Sequence, residues 1–294
     1  MDSILWTALS RVRGIGIKRL LSLYNASVSV SDLKSDMTRE ILGRKLFDEI
    51  NKAGYIEHLI NDTIQYIEDL RKNDIEVLSY LDVNYPELLK KIPDPPSVLY
   101  CKGNLKALCT GKRVAVAGTR WPTERGLMQA RRISADFAKT GCVIVSGLAR
   151  GIDTAAHIGA LDSGGMTIAV LPGSFDNIYP PENTGLAGRI LDNGGLLVTE
   201  YPPGTLMQKR HFVERDRIQS GLSLCVCVIE TEVGGGAMHT ANFSRIQGRP
   251  VFCPRPVGNS QLVQYSGIKK LFGQGMATEY PGSAEEVLRM INGM

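Results

Sequence analysis

The chain is short of the features that mark several large protein classes. No apolar run in its 294 residues approaches the roughly 20 that a membrane-spanning helix needs. The opening Met1-Asp2-Ser3-Ile4 has neither the basic nor the apolar region of a secretory signal, so a cytoplasmic protein without a membrane partner is expected. None of the six cysteines forms a C-x-x-C pair. Cys225 and Cys227, two residues apart, fall on one face of a strand and read as small apolar core groups. The four histidines, His58, His157, His211 and His239, have no metal-binding spacing, so no metal is expected. Internal repeats and low-complexity tracts are absent. The net charge of +4 is too mild to mark a nucleic-acid binder by itself.

Three nucleotide signatures are also missing. The strand Arg113–Ala117 runs into Gly118-Thr119-Arg120-Trp121-Pro122, where a dinucleotide fold would have G-x-G-x-x-G. Gly234-Gly235-Gly236 comes late and lacks an acidic residue about 20 positions on. Gly111-Lys112-Arg113 has arginine where a P-loop needs Ser or Thr. NAD and ATP are disfavoured, and no cofactor is expected.

What is present is an ordinary soluble composition, 43% hydrophobic and 22% charged, in a chain long enough for one large α/β domain and a small helical one. Residues 1–73 carry apolar residues at helical spacing over Ile4–Leu9, Ile17–Tyr24, Thr38–Phe47 and Tyr55–Lys72. The turn Gly14-Ile15-Gly16, with Arg11, Arg13, Lys18 and Arg19 around it, resembles a helix-hairpin-helix or SAM-like unit. DNA contact and plain helix packing both remain open there. Ile75–Leu81 and Ser97–Cys101 read as extended pieces. From residue 112 strands and helices alternate, with helices expected at Thr123–Lys139, Thr154–Asp162, Leu186–Leu191, Val213–Ser220 and Ala237–Ile246. Such alternation implies a parallel sheet with right-handed crossovers. A short amphipathic stretch, Ser283–Ile291, follows.

Five expected strands, Arg113–Ala117, Cys142–Val145, Thr167–Leu171, Leu196–Val198 and Leu224–Ile229, each lead into a loop of glycine or small polar residues. In an open parallel sheet those loops line one ligand-binding crevice, and glycines let backbone N–H groups approach an anion. Gly118-Thr119-Arg120 offers amides, a hydroxyl and a guanidinium at the start of a helix whose N-terminus favours an anion. A local salt bridge from Arg120 to Asp153 or Glu200 is the alternative. Ser146, Gly147, Arg150 and Gly151 form a second such loop, with Asp153 in an N-cap position and, like His157, read as structural. The segment Lys209–Arg217 combines cations with Phe212, as single-stranded nucleic acid requires, although Glu214 and Asp216 also allow a solvated helix start with internal ion pairs.

Long runs here resemble the DNA processing protein A (DprA/Smf) family: VAVAGTR at Val114–Arg120, VIVSGLARGIDTAAH at Val143–His157, GLLVTEYP at Gly195–Pro202 and FVERDRIQSGL at Phe212–Leu222. The resemblance covers residues 75–255 and implies an extended Rossmann-like, doubly wound domain over 74–294 that binds single-stranded DNA, is no catalyst, and works as a homodimer that loads RecA recombinase during transformation. It implies DNA contacts at Arg120, Lys209, Phe212, Arg215 and Arg217. The glycine rim (Gly118, Thr119, Gly235, Gly236) completes the expected site, and Ser244–Lys270 is the expected dimer surface. Two departures stand out. Asp216 replaces the asparagine of the R-N-R motif, and no C-terminal winged helix is expected. The rival reading is a phosphoribohydrolase-like enzyme or nucleotide sensor using Glu200, Glu230 or Glu232, but Asn242 stands where that signature needs glutamate. A scaffold in mobile-element or defence biology is a third.

Overall fold

The computed structural model describes residues 1–256 and 261–293. The chain divides into two compact units, residues 1–85 with 94–101, and residues 86–93 with 102–294. The first unit contains α1 (Ser3–Ser10), α2 (Ile17–Asn25), α3 (Asp36–Leu42), α4 (Arg44–Ile50), α5 (Tyr55–Arg71), β1 (Ile75–Ser79) and the start of β2 (Val98–Gly103). The single helix expected over Thr38–Phe47 is two, because Gly43 adopts φ +78 between α3 and α4, a conformation that glycine takes without a Cβ penalty. Trp6 is fully buried, stacks on Tyr80 at 5.4 Å and donates its indole N–H to Ser97 O at 2.7 Å. Two of the four cations near the Gly14–Gly16 turn are used inside this unit. Arg11 pairs with Asp62 at 2.9 Å and lies over the Tyr66 ring, while Arg19 donates to Gly14 O at 2.6 Å.

The second unit begins with two short helices, α6 (Glu87–Lys90) and α7 (Lys106–Cys109). Seven strands follow, interleaved with helices: β3 (Arg113–Ala117), α8 (Glu124–Lys139), β4 (Val143–Ser146), α9 (Ile152–Asp162), β5 (Thr167–Val170), α10 (Thr184–Asp192), β6 (Leu196–Thr199), α11 (Lys209–Gly221), β7 (Cys225–Val228), α12 (Ala237–Ile246), β8 (Val251–Cys253), α13 (Ser266–Gly273), β9 (Thr278–Glu279) and α14 (Ala284–Asn292). All their pairings are parallel, in the order β6-β5-β4-β3-β7-β8-β9. The chain starts at the middle, winds outward through β6, then returns beside β3 to wind the other way. This is the doubly wound arrangement that strand–helix alternation implied. The strands β8 and β9 and the helix α13 were not foreseen; pieces of three and two residues carry too little alternation to register.

Strand period two sorts the core into layers. Val114, Val116, Cys225 and Cys227 face α8, α9 and α14, where Ile133, Phe137, Ala156 and Val287 are buried. Ala115, Ala117, Val226 and Val228 face α12 and α13, meeting Ala241, Ile268 and Leu271. Cys225 and Cys227 are thus core groups on one face, and among the described residues no cluster could hold a metal ion. Arg113, the residue that spoils the P-loop, is buried and donates to the carbonyls of Leu222, Leu108 and Thr110. The helix α11 starts at Lys209, four residues before the expected Val213, so the cations of that segment sit on a helical turn.

Gly159 lets α8 and α9 touch, since a Cβ there would stand 2.3 Å from Arg131 O. Backbone cannot yield as a flexible side chain would. Gly159→Val should therefore lose about 1–3 kcal/mol, read as a fall of several degrees in Tm by calorimetry, with an unchanged far-UV spectrum before melting.

Candidate functional site

Strand order reverses between β3 and β7, and the loops beyond their carboxyl ends bound a cleft of about 340 Å³. Such a switch point is where open α/β sheets bind ligands. Gly118, Thr119, Arg120 and Trp121 come from the β3–α8 loop, and Gly235 and Gly236 from the loop before α12. The helix α11 adds Phe212, Arg215, Asp216 and Gln219.

The base of the cleft is a buried charge cluster. Arg215 is 5% exposed; its Nη1 lies 3.7 Å from Asp153 Oδ2 and its Nε 3.4 Å from Asp216 Oδ1. Nη1 also donates to Gln219 Oε1 at 3.2 Å, and Gln219 Nε2 donates to Val116 O at 3.0 Å, tying the cluster to β3. Gly147 makes room for it, because a Cβ there would come within 1.1 Å of Arg215 Nη1. One guanidinium thus serves two carboxyl groups. Burial raises Asp216 to about 7, against the pull of Arg215 and with a push from Asp153, while Arg120 also lowers it. Burial raises Asp153 too, opposed by Arg215 and by the amides of Ala149 and Gly147. Burial and Arg215 hold His157 down at about 3, so it is neutral, with Nδ1 hydrogen-bonded to Thr167 Oγ1 at 2.7 Å.

Several groups expected to meet a phosphate are engaged by the chain itself. Asp153 is no N-cap: Gly151 caps α9 with φ +75, and the Asp153 carboxylate accepts from the amides of Gly147 and Ala149 at 3.2 and 3.4 Å. Glu230 occupies the N-terminus of α8, accepting from Thr123 N at 2.8 Å and Thr123 Oγ1 at 2.6 Å. The helix-dipole position expected to hold a ligand anion is therefore filled by a resident carboxylate. Ser146 is fully buried and donates to Val116 O at 2.7 Å, which removes it from the accessible rim. Arg217 is absent from the cleft lining and grips Glu200 through both terminal nitrogens at 2.7 Å. It clamps the strand-end glutamate. Arg215, too, is a base residue with buried partners. Arg150 is exposed beside a smaller hollow of about 100 Å³ and ion-paired with Glu182; an exposed pair contributes only about 0–1 kcal/mol and can open for a ligand. Gly118 and Gly151 serve close packing, since a Cβ would stand 2.5 Å from Ile152 Cγ1 and Thr119 O respectively.

What remains on the rim is smaller and sharper. Arg120 forms no salt bridge to Asp153 or Glu200; its guanidinium lies 5.4 Å from the Phe212 ring centroid. Tyr179 meets Phe212 edge-on at 5.3 Å. Lys209, exposed and one turn before Phe212 on α11, has no ion pair among the described residues. The cleft therefore offers one uncommitted arginine over an aromatic ring, with Lys209 outside the cleft lining but exposed one helical turn before that ring, which suits a polyanion carrying flat bases. Sequence reasoning missed Tyr179, Trp121 and Gln219 as members. Only Trp121, next to Arg120, carried a local signal; the others arrive by folding. Of the expected dimer surface Ser244–Lys270, residues 257–260 lie outside the described residues.

The family model for DNA recombination-mediator protein A matches residues 76–292. The DNA processing protein DprA of Bacillus subtilis is 35% identical over 272 residues, covering 91% of this chain and 88% of that one. Protein Smf of Synechocystis is 36% identical, covering 84% of this chain, which in turn spans 63% of that relative's length. Among solved structures, DNA processing protein A from Streptococcus pneumoniae superposes with a TM-score of 0.75 at 30% identity, covering 97% of this chain and 95% of that one. A structure concerned with the single-stranded DNA binding mode of DNA processing protein A from Helicobacter pylori matches with a TM-score of 0.64 at 31% identity, over 74% and 94% of the two chains.

The raised Asp216 has a consequence for stability. Its carboxyl holds a proton in the folded protein over the range where the unfolded chain has lost it. Stability from this group is therefore present below the ordinary carboxylate range and is lost as pH rises through about 7. Asp216→Asn should remove that dependence. At pH 8 the variant should melt above the wild type by at least about 1 kcal/mol, or about 2–4 °C, and the gap should close towards pH 5 in thermal melts.

Proposed function

The chain belongs to the DNA recombination-mediator protein A family, and from that premise we propose that it binds single-stranded DNA across the cleft between β3 and β7. In this reading Arg120 and Lys209 meet phosphates and Phe212, buttressed by Tyr179, receives a base. One observation carries it: Arg120 is held over Phe212 with no salt bridge among the described residues, while Arg215 and Arg217 nearby are locked to Asp153, Asp216 and Glu200. An arginine left unneutralised beside a partly exposed ring is the arrangement a negatively charged strand would complete. The structural likeness to the Helicobacter pylori protein points the same way.

Its role is in DNA processing, and more specifically in protecting incoming single strands in the cytoplasm during transformation and passing them to RecA recombinase. A homodimer would join two clefts and strengthen binding through multivalency. Two of the three glutamates available to an enzyme are engaged elsewhere, while Glu232 lines the cleft. Glu200 clamps Arg217 and Glu230 caps α8, so neither is poised for acid–base chemistry.

Anisotropy titration with a dT oligonucleotide at two salt concentrations tests this. Binding should weaken with salt and prefer single strand to duplex. Arg120→Ala and Lys209→Ala should each lower the slope of log K against log salt by about 0.7 and leave Tm near wild type. Phe212→Ala should weaken binding by about 1–3 kcal/mol, whereas Arg217→Ala should lower Tm by unpairing Glu200. Equal affinity for duplex, or no response to salt, would overturn the assignment. Incubation with AMP should release no free base.

A further inference from the structure

Arg120 and Trp121 line the cleft and also a separate groove beyond it. That groove, about 470 Å³ between α8 and α9, is bordered by Leu127, Arg131 and Ile158. Arg131 also lines a second hollow of about 470 Å³ further along the same helices, together with Met128, Arg132 and Lys139. The two hollows therefore meet at Arg131, and the first joins the cleft at Arg120 and Trp121. Gly159, at the edge of the second hollow, lets α9 pack directly against the Arg131 backbone.

The lining is unusual for an idle surface. Trp121 is 68% exposed and Met128 59%. Met128, Arg131, Arg132, Ala135 and Lys139 fall at three- and four-residue spacing on one face of α8. None of Arg131, Arg132 and Lys139 forms a salt bridge among the described residues, and Asp162, the carboxylate in the lower hollow, is already paired with Arg189 at 3.2 Å. An uncommitted aromatic followed by three uncommitted cations is a stacking platform leading into an electrostatic track. The Met128–Lys139 stretch of helix is about 16 Å long, enough to follow a strand over more than one nucleotide.

We propose that Trp121 stacks a base of single-stranded DNA next to the cleft, and that the α8–α9 groove carries the phosphates of the following nucleotides of the same strand. This rests on the cleft being a single-strand site and extends it by a second segment. Arg120 sits at the junction, where it can meet the phosphate between the two bases. The track explains why a tryptophan just before α8, and a methionine and three cations along one face of it, lie bare.

Binding of two dT oligonucleotides to the full chain, one of about six nucleotides and one of about 20, separates the two segments. The short one fits the cleft; the long one reaches the groove. Trp121→Ala should weaken the long oligonucleotide about tenfold and affect the short one less, since Trp121 also borders the cleft. The combination Arg131→Ala, Arg132→Ala, Lys139→Ala should lower the salt slope for the long oligonucleotide by about 2, with Tm unchanged because all three side chains are exposed. Fluorescence gives an independent reading. The chain has two tryptophans, and Trp6 is fully buried, so quenching by the long oligonucleotide reports Trp121 and should vanish in Trp121→Phe. Wild-type binding of the long oligonucleotide with no quenching, and with unchanged affinity and salt slope in both variants, overturns the groove and leaves the cleft standing. If the wild type binds neither oligonucleotide, the cleft reading fails and the groove falls with it.

Discussion

The Arg215 guanidinium, buried between Asp153 and Asp216, is the interaction on which the geometry of the cleft depends. It joins α11 to the first turn of α9 and, through Gln219, to the backbone of β3. Three elements that bound the cleft are thereby pinned to one cation. A buried charge is tolerated only when paired and hydrogen-bonded, which is why Gly147 must lack a side chain and why Gln219 is turned inward. Removing either carboxyl alone changes the balance, because two acids share one base and the more strained of them keeps its proton near neutrality.

Carboxylates of the chain act throughout the rim as resident occupants of positive sites. Asp153 takes two loop amides, Glu230 takes the N-terminus of α8, Glu200 takes Arg217 and Glu182 takes Arg150. Each of these places a negative group where a glycine-rich loop or an arginine would otherwise attract an external anion. The effect is selection by subtraction. Arg120, the arginine of the cleft lining left without a salt bridge among the described residues, lies over the Phe212 ring of α11, and Lys209 is exposed one turn before that ring. In the proposed binding mode, recognition falls to side chains at the mouth instead of the backbone amides.

Asp216 places this arrangement close to a balance point. It lies in the cleft lining beside Arg215 and within electrostatic reach of Arg120. Its protonated form removes a negative charge from the base of the cleft, and its ionised form restores one. An asparagine at that position would be neutral at every pH, so the substitution couples the charge of the cleft to the acidity of the medium without altering the fold around it.

Much of this was legible in the chain before any coordinates. The alternation from residue 112, the period-two strands and the glycines at strand ends led to a parallel α/β sheet with its working edge at the carboxyl ends, because hydrophobic periodicity and turn chemistry are local properties. The motif runs from Val114 to Leu222 led to the family in the same way. Short pieces such as β9 and the break at Gly43 were not legible, since two residues show no period and a glycine in a helical pattern can be tolerated as readily as it can end a helix. The site divided along the same line. Arg120, Lys209, Arg215 and Arg217 are all cations of suitable kind at suitable spacing, yet two remain open to solvent and two are consumed by Asp153, Asp216 and Glu200, residues distant in sequence. Residue type and order determined which groups could bind an anion; only the tertiary structure decided which of them were still free to do so, because charge pairing depends on distance in space and the sequence records distance along the chain.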